Sequence, residues 1–395
     1  MKFHRIRQHF PRPRITNIER TVRDQLADTR LSISRGASIA IAVGSRGIAN
    51  IGGITRAVVA HLRELGAEPF IVPAMGSHGG ASAEGQTAVL ESYGVTVEAM
   101  GCPIRSSMDV AQIEGTSLYM DQHAWNSDGV VVINRIKPHT DFRGAIESGV
   151  AKMIVIGLGK EKQAHAFHSF GVHGLRDLVP KAAIEIIATG KILLGLGIVE
   201  NAYDETSIIE AIPPNQILTR ESELLDAAKR NMPRLPVEYL DVLIVDRLGK
   251  NISGTGMDTN VIGRIRIAGE PELTTPRIKS IVVTDLSEES HGNATGIGLA
   301  DVVTRQLFDK INFKTTYTNI ITSGFLERGK LPVVAETEKD ALAIALRGAG
   351  CRESTTARVI RIKDTLHLSE ILVSDAVLAE IRGRENIEIL HEDRR

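Results

Sequence analysis

Two histidines stand among small residues in settings that suit proton transfer: His78 in Gly76-Ser77-His78-Gly79-Gly80, and His139 in Lys137-Pro138-His139-Thr140-Asp141-Phe142-Arg143-Gly144. A histidine flanked by glycine and serine has little packing to do, and its titration near neutrality makes it the usual general acid or base. A surface-loop histidine is the plainer alternative. The same stretch continues through Glu147-Ser148-Gly149 to Lys152, a lone lysine in an otherwise small and apolar run. Burying its charge without purpose is costly, and a desolvated amine suits covalent attachment of a cofactor or substrate. A lysine snorkelling from a helix edge satisfies the same pattern. His165 and His168, three apart, share one face of a helix, which suits a metal or a polar cleft. No carboxylate or thiolate stands beside them at zinc-protease spacing.

Other loops could bind rather than react. Gly44-Ser45-Arg46-Gly47 follows an apolar run and precedes a helix, the place where loop amides face anions and where Arg46 could clamp a carboxylate through two nitrogens. In the second half, Ser253-Gly254-Thr255-Gly256-Met257-Asp258-Thr259-Asn260 leads to Arg264 and Arg266, and Ser290-His291-Gly292-Asn293-Ala294-Thr295-Gly296 precedes a predicted helix. So many small and polar residues after buried strands suggest a second ligand-facing rim.

The elements that must position these residues alternate. Strands at 38–43, 69–73 and 130–133 are almost wholly apolar, as in parallel sheets covered on both faces, and helices at 53–65 and 83–93 separate the first three elements. The β-branched run at 154–156 predicts another strand, with helices at 160–170 and 174–188. Two prolines and a charge cluster at 227–239 mark a boundary, giving domains 1–235 and 236–395. Beyond it come strands at 242–245 and 280–284, a helix at 298–309, strands or turns at 317–322, and a helix at 337–347. The expected architecture is two α/β domains with mainly parallel sheets and the active site in the cleft between them.

The 395 residues exceed what one core usually serves, and 43% apolar with 24% charged residues is the balance of an ordinary globular protein. A formal net charge of -1 argues against nucleic acid as partner. Two distant cysteines make no disulfide framework or thiolate metal site and fit a reducing compartment. The basic N-terminal stretch reads as an exposed arm with no apolar segment behind it, and no apolar run is long enough to span a bilayer, so a cytoplasmic location without membrane attachment is expected.

In order, these pieces are a strand-end arginine, GSHGG before a helix, PHTDFRG…ESG…K, then a histidine on the next helix. The series resembles the nickel-pincer lactate racemase family, most strongly over 44–171 and more loosely after 246. The resemblance implies a 2-hydroxy acid racemase or epimerase using a nickel-pincer nucleotide, with His139 and His78 as acid–base residues and Lys152 as the cofactor's covalent anchor. It implies His168 as the metal ligand, with His165 competing, and Arg46 on the substrate carboxylate. Ser45, Gly256, Asn260 and Arg264 fall where cofactor contacts are expected, and the partners implied are a small 2-hydroxy acid and the proteins that make the cofactor. A nickel-independent lyase or dehydratase, or a non-catalytic nucleotide or anion binder, could use the same loops. The pattern departs in about three extra residues between His139 and Lys152, in Val43 where the family has an aspartate, and in Gly79 where it tends to have arginine. These departures point to a substrate bulkier or more polar than lactate.

Overall fold

The computed structural model describes residues 1–391 except Arg46. The chain forms two compact units: Arg12–His139 with Arg143–Met232, and Met1–Pro11 with Thr140–Phe142 and Pro233–Arg395. Both are α/β, and both sheets are mostly parallel. The first strand, β1 (His4–Gln8), already corrects one expectation. The N-terminal stretch is no free arm but a strand of the larger sheet, with Ile6 fully buried and His4 and Gln8 each 2% exposed.

The unit built on residues 12–232 holds a five-stranded sheet. Its strands are β2 (Ser38–Val43), β3 (Glu68–Pro73), β6 (Gly129–Arg135), β7 (Ile192–Glu200) and β8 (Thr206–Ile212), in the order β3-β2-β6-β7-β8; β4 (Val110–Gln112) and β5 (Tyr119–Asp121) form a separate hairpin. All pairings in the five-stranded sheet are parallel except β7 with β8. The apolar runs predicted as strands are buried on both faces, which is why they do not alternate. Helices Ile18–Asp28 and Ile51–Glu64 supply Val22, Leu26, Ile54 and Val58 to the core on one face, against Ile39, Ile41, Val131 and Ile133.

The predicted strand at 154–156 is helical instead. Residues Val150–Lys152 open a helix that widens into a π-type turn at Met153–Gly157, then passes to helix Lys160–His168. A short apolar run buried on all sides carries no periodicity to separate strand from helix, and Ile154, Val155 and Ile156 are buried on every side.

The other unit holds an eight-stranded sheet of β1 with β9 (Tyr239–Leu248), β10 (Arg277–Leu286), β11 (Val302–Thr304), β12 (Val333–Ala335), β13 (Val359–Ile362), β14 (Glu370–Val373) and β15 (Ile387–His391), ordered β12-β11-β10-β9-β13-β14-β1-β15. β9 through β13 pair in parallel, while β14, β1 and β15 join antiparallel. Successive β9 residues serve two cores, Leu243 and Val245 on one face and Val242 and Ile244 on the other. Two further expectations fail here. The segment at 298–309 divides into a short 3₁₀ turn, β11 and helix Arg305–Asp309, and 317–322 lies inside helix Phe313–Ser323. That helix is rich in β-branched residues, yet Asn312 caps its start through the Thr315 amide and Gly324 ends it in the left-handed conformation.

Candidate active site

The chain steps from β2 to β3 on one side and then crosses to β6 on the other, so the strand order reverses between β2 and β6. In open α/β sheets such a reversal leaves a crevice at the carboxyl ends of the strands, where ligands bind. Gly44 and Ser45 follow β2, His78 follows β3, and His139 and Lys152 follow β6. Gly44 lies so close to β6 that a Cβ there would meet the Met153 methyl at 2.6 Å and Asn134 Oδ1 at 2.8 Å. Arg46 lies outside the described residues.

The loop after β3 holds His78 by both its ring and its backbone. Ser45 Oγ is 2.5 Å from His78 Nδ1, and the Gln86 side-chain amide donates to the carbonyls of Gly76 (2.8 Å) and His78 (3.2 Å). Gly79 has φ +65°, and an added Cβ would lie 2.6 Å from the Gln86 nitrogen. Glycine is therefore required here by conformation and by space, which accounts for the absence of a side chain next to His78.

The loop after β6 is closed at its base by paired backbone hydrogen bonds between Lys137 and Ser148. Inside it, the fully buried Glu147 carboxylate accepts from the His139 amide at 2.7 Å and pairs with Lys229 at 3.2 Å and Arg143 at 3.5 Å. Arg143 donates in turn to the His139 carbonyl. Thr140, Asp141 and Phe142 belong to the other unit. There Arg328, 2% exposed, pairs with Asp141 and donates to the Thr140 carbonyl, which also accepts from Thr259 Oγ1 at 2.7 Å.

Lys152 ends the first turn of a helix whose start is fixed from two sides. Asn134 donates to the Gly149 carbonyl at 2.7 Å, and the buried Glu221 carboxylate accepts from the Ala151 amide at 2.8 Å. Burial pushes Glu221 up to about 7, against the opposing pull of the Ala151 and Val150 amides. At Gly149 a Cβ would lie 2.2 Å from Glu221 Oε1. The outcome is that Lys152 Nζ reaches within 2.7 Å of His139 Nε2, with both side chains half-buried. An ammonium has donors only, so the imidazole presents its lone pair at Nε2.

The structure thus brings together Ser45 with His78 and His139 with Lys152. His165 and His168 are both exposed on helix Lys160–His168, and no group of three or more metal-binding side chains occurs among the described residues. Gly256 has φ +74°, with the Thr295 carbonyl 2.4 Å from where its Cβ would stand; the Asn260 amide donates to Asp258. Arg264 is buried, pairs with Asp301 and donates to the carbonyls of Leu299 and Ile278. Sequence reasoning missed Gln86, Lys160, Glu221 and Arg328 as supports. Glu221 carried a usable signal, since it stands at helical spacing among Ile217, Leu224, Leu225 and Ala228, on the buried face of helix Ile217–Asn231.

No family model matches the chain, and no curated protein matches it in sequence. Among solved structures, the lactate racemase apoprotein from Thermoanaerobacterium thermosaccharolyticum is similar over 93% of this chain and 99% of that one, with a TM-score of 0.56 and 13% identity. At that identity the likeness is one of fold: two α/β units with mostly parallel sheets, on a scaffold like that of lactate racemase.

Proposed function

We propose that this chain is an isomerase that racemises or epimerises a 2-hydroxy acid, with His78 and His139 as its acid–base residues and Lys152 as the anchor of a nickel-pincer nucleotide. The observation that carries the proposal is the 2.7 Å approach of Lys152 Nζ to His139 Nε2 at a strand-order reversal. It supplies an amine with its own base, as covalent attachment requires. The donor set fits the group as well. A nickel centre that brings its own sulfur ligands needs only one imidazole from the protein, and the exposed His168 is the proposed donor. When bound, the group's pyridinium ring supplies a site that accepts and returns hydride at the substrate's C2.

The chain's own residues handle the proton. One imidazole takes the hydroxyl proton as the alcohol carbon becomes planar; the other gives a proton back when the carbon is re-formed with opposite configuration. Once Lys152 is committed to the cofactor, His139 Nε2 is released for the substrate. Arg46 would fix the substrate carboxylate. Ser45 is proposed to serve His78, and Gly256, Asn260 and Arg264 to support their own loop.

The test is intact-protein mass spectrometry with metal analysis, on protein made together with the proteins that synthesise the cofactor. A mass increment mapped to Lys152, one nickel per chain and interconversion of 2-hydroxy acid enantiomers are expected. An unmodified chain from a host that loads a known lactate racemase would overturn the proposal and bring forward a lyase that uses the histidines alone.

A further inference from the structure

Behind the His78 loop lies a buried polar chain that the reaction itself does not use. Lys160 is fully buried; its ammonium donates to the Pro73 carbonyl at the end of β3 (2.5 Å) and to Gln86 Oε1 (3.0 Å), and it pairs ionically with Asp121 Oδ2 at 3.1 Å. Gln86, also fully buried, passes the connection on through its two bonds to the carbonyls of Gly76 and His78. A hydrogen-bonded path therefore runs from Lys160 through Gln86 to the backbone of His78, with Asp121 paired to its lysine end.

The same lysine terminates the segment that begins at Lys152. Its φ of +54° is left-handed, a conformation that costs a non-glycine residue roughly 1 kcal/mol and persists only where its surroundings enforce it. Just before it, the Gly157 carbonyl accepts from the Gly76 amide at 3.2 Å and the Leu158 carbonyl from the Asp121 amide at 2.6 Å. Burial lowers the Lys160 pKa, with Asp121 opposing the shift. An apolar side chain would fill the same volume without desolvating two charges, so stability alone is a poor reason for this arrangement.

We propose that Lys160 and Gln86 are positioning residues that hold the His78 loop in fixed register with the helix carrying Lys152. The inference rests on the reading of His78 and Lys152 given above. Lys160 joins the two because its backbone closes one segment while its side chain holds the other.

Two variants test it. Gln86→Glu keeps the acceptor for Lys160 and removes both donors to the His78 loop. The double variant Lys160→Met with Asp121→Asn removes the path without leaving a charge buried, and it carries the same test should Gln86→Glu not fold. In cofactor-loaded protein we expect the wild-type mass increment on Lys152, KM within about threefold, and kcat lower by about 100-fold, the scale of an ångström's misplacement. In unloaded protein labelled at histidine nitrogens, the His78 ring signals should shift and broaden while those of the exposed His391, in the other unit, stay fixed. Folded variants with wild-type His78 signals would overturn the inference. If the wild type neither loads nor isomerises, the function proposed above fails, and the His78 signals of the unloaded variants still decide this one.

Discussion

Ser45 and His78 link the ends of β2 and β3, and the pair does something specific to the imidazole. With Nδ1 engaged by the hydroxyl at 2.5 Å, the orientation of the ring is tied to the end of β2. Ser45→Ala should therefore lower kcat of the loaded enzyme about tenfold, within the range general acid–base catalysis contributes, and leave Lys152 loading intact. Steady-state kinetics beside intact mass would separate the two. Glu221 offers a prediction of the opposite kind, on stability. Its carboxyl sits at about 7 in the fold, above its ordinary 4.5, so the native state binds the proton more tightly than the unfolded chain does. This group's contribution is fully present below about 4.5 and is lost as pH rises through 7. Glu221→Gln, which stays neutral, should gain in Tm relative to wild type as pH climbs from 5 to 8. Parallel melting curves that never converge or diverge across that range would contradict it.

The loops around the site show what a sequence discloses and what it withholds. The placing of His78 and His139 after apolar strands was legible because polar residues among glycines and small neighbours leave few packing roles, whereas Lys152 was singled out by the resemblance rather than by its apolar surroundings. Their supports were not, because Glu147, Gln86, Lys160 and Glu221 act through partners far along the chain, and a lone buried glutamate looks like a surface one until its helix face is read. The strand expected at 154–156 failed for want of periodicity, and the strands or turns expected at 317–322 failed because β-branched content was weighed without Asn312 and Gly324, which cap helix Phe313–Ser323 at its two ends. Two outcomes follow for these loops. Glu147→Ala strands the His139 amide and removes the partner of Lys229 and Arg143; it should cost about 2–3 kcal/mol, measurable by denaturant titration, and lower activity beyond the loss of folded protein. Gly149→Ala drives a methyl into Glu221 and should displace the first turn of the Lys152 helix, seen as loss of cofactor loading in a protein that still melts cooperatively.

Over the whole molecule, chain order and spatial order part company. The first eleven residues and Thr140–Phe142 of the loop after β6 belong with the C-terminal half, an arrangement that composition shifts along a sequence cannot reveal. β1 lies between β14 and β15, with His4 bonded to Asp375 and Gln8 to the Leu368 carbonyl. Deleting residues 1–8 should leave two strand edges unpaired and speed amide exchange throughout β9 to β14, while the amides of β2 and β6 keep their protection. Equal protection in both sheets of the truncated chain would refute that expectation. No helix among the described residues is long and apolar enough to cross a membrane.

The antiparallel register of β1 with β15 sets Arg5 opposite His391. Strands β1 and β15 therefore lie side by side on one sheet, and a loop joining His391 to His4 would make them a β-hairpin. A circular permutant opened near Met232 would then read the eight-stranded sheet as one nearly unbroken stretch, with the five-stranded sheet after it. In it the two stretches stay joined through Pro11–Arg12, and the Thr140–Phe142 segment remains the one interruption of the second stretch.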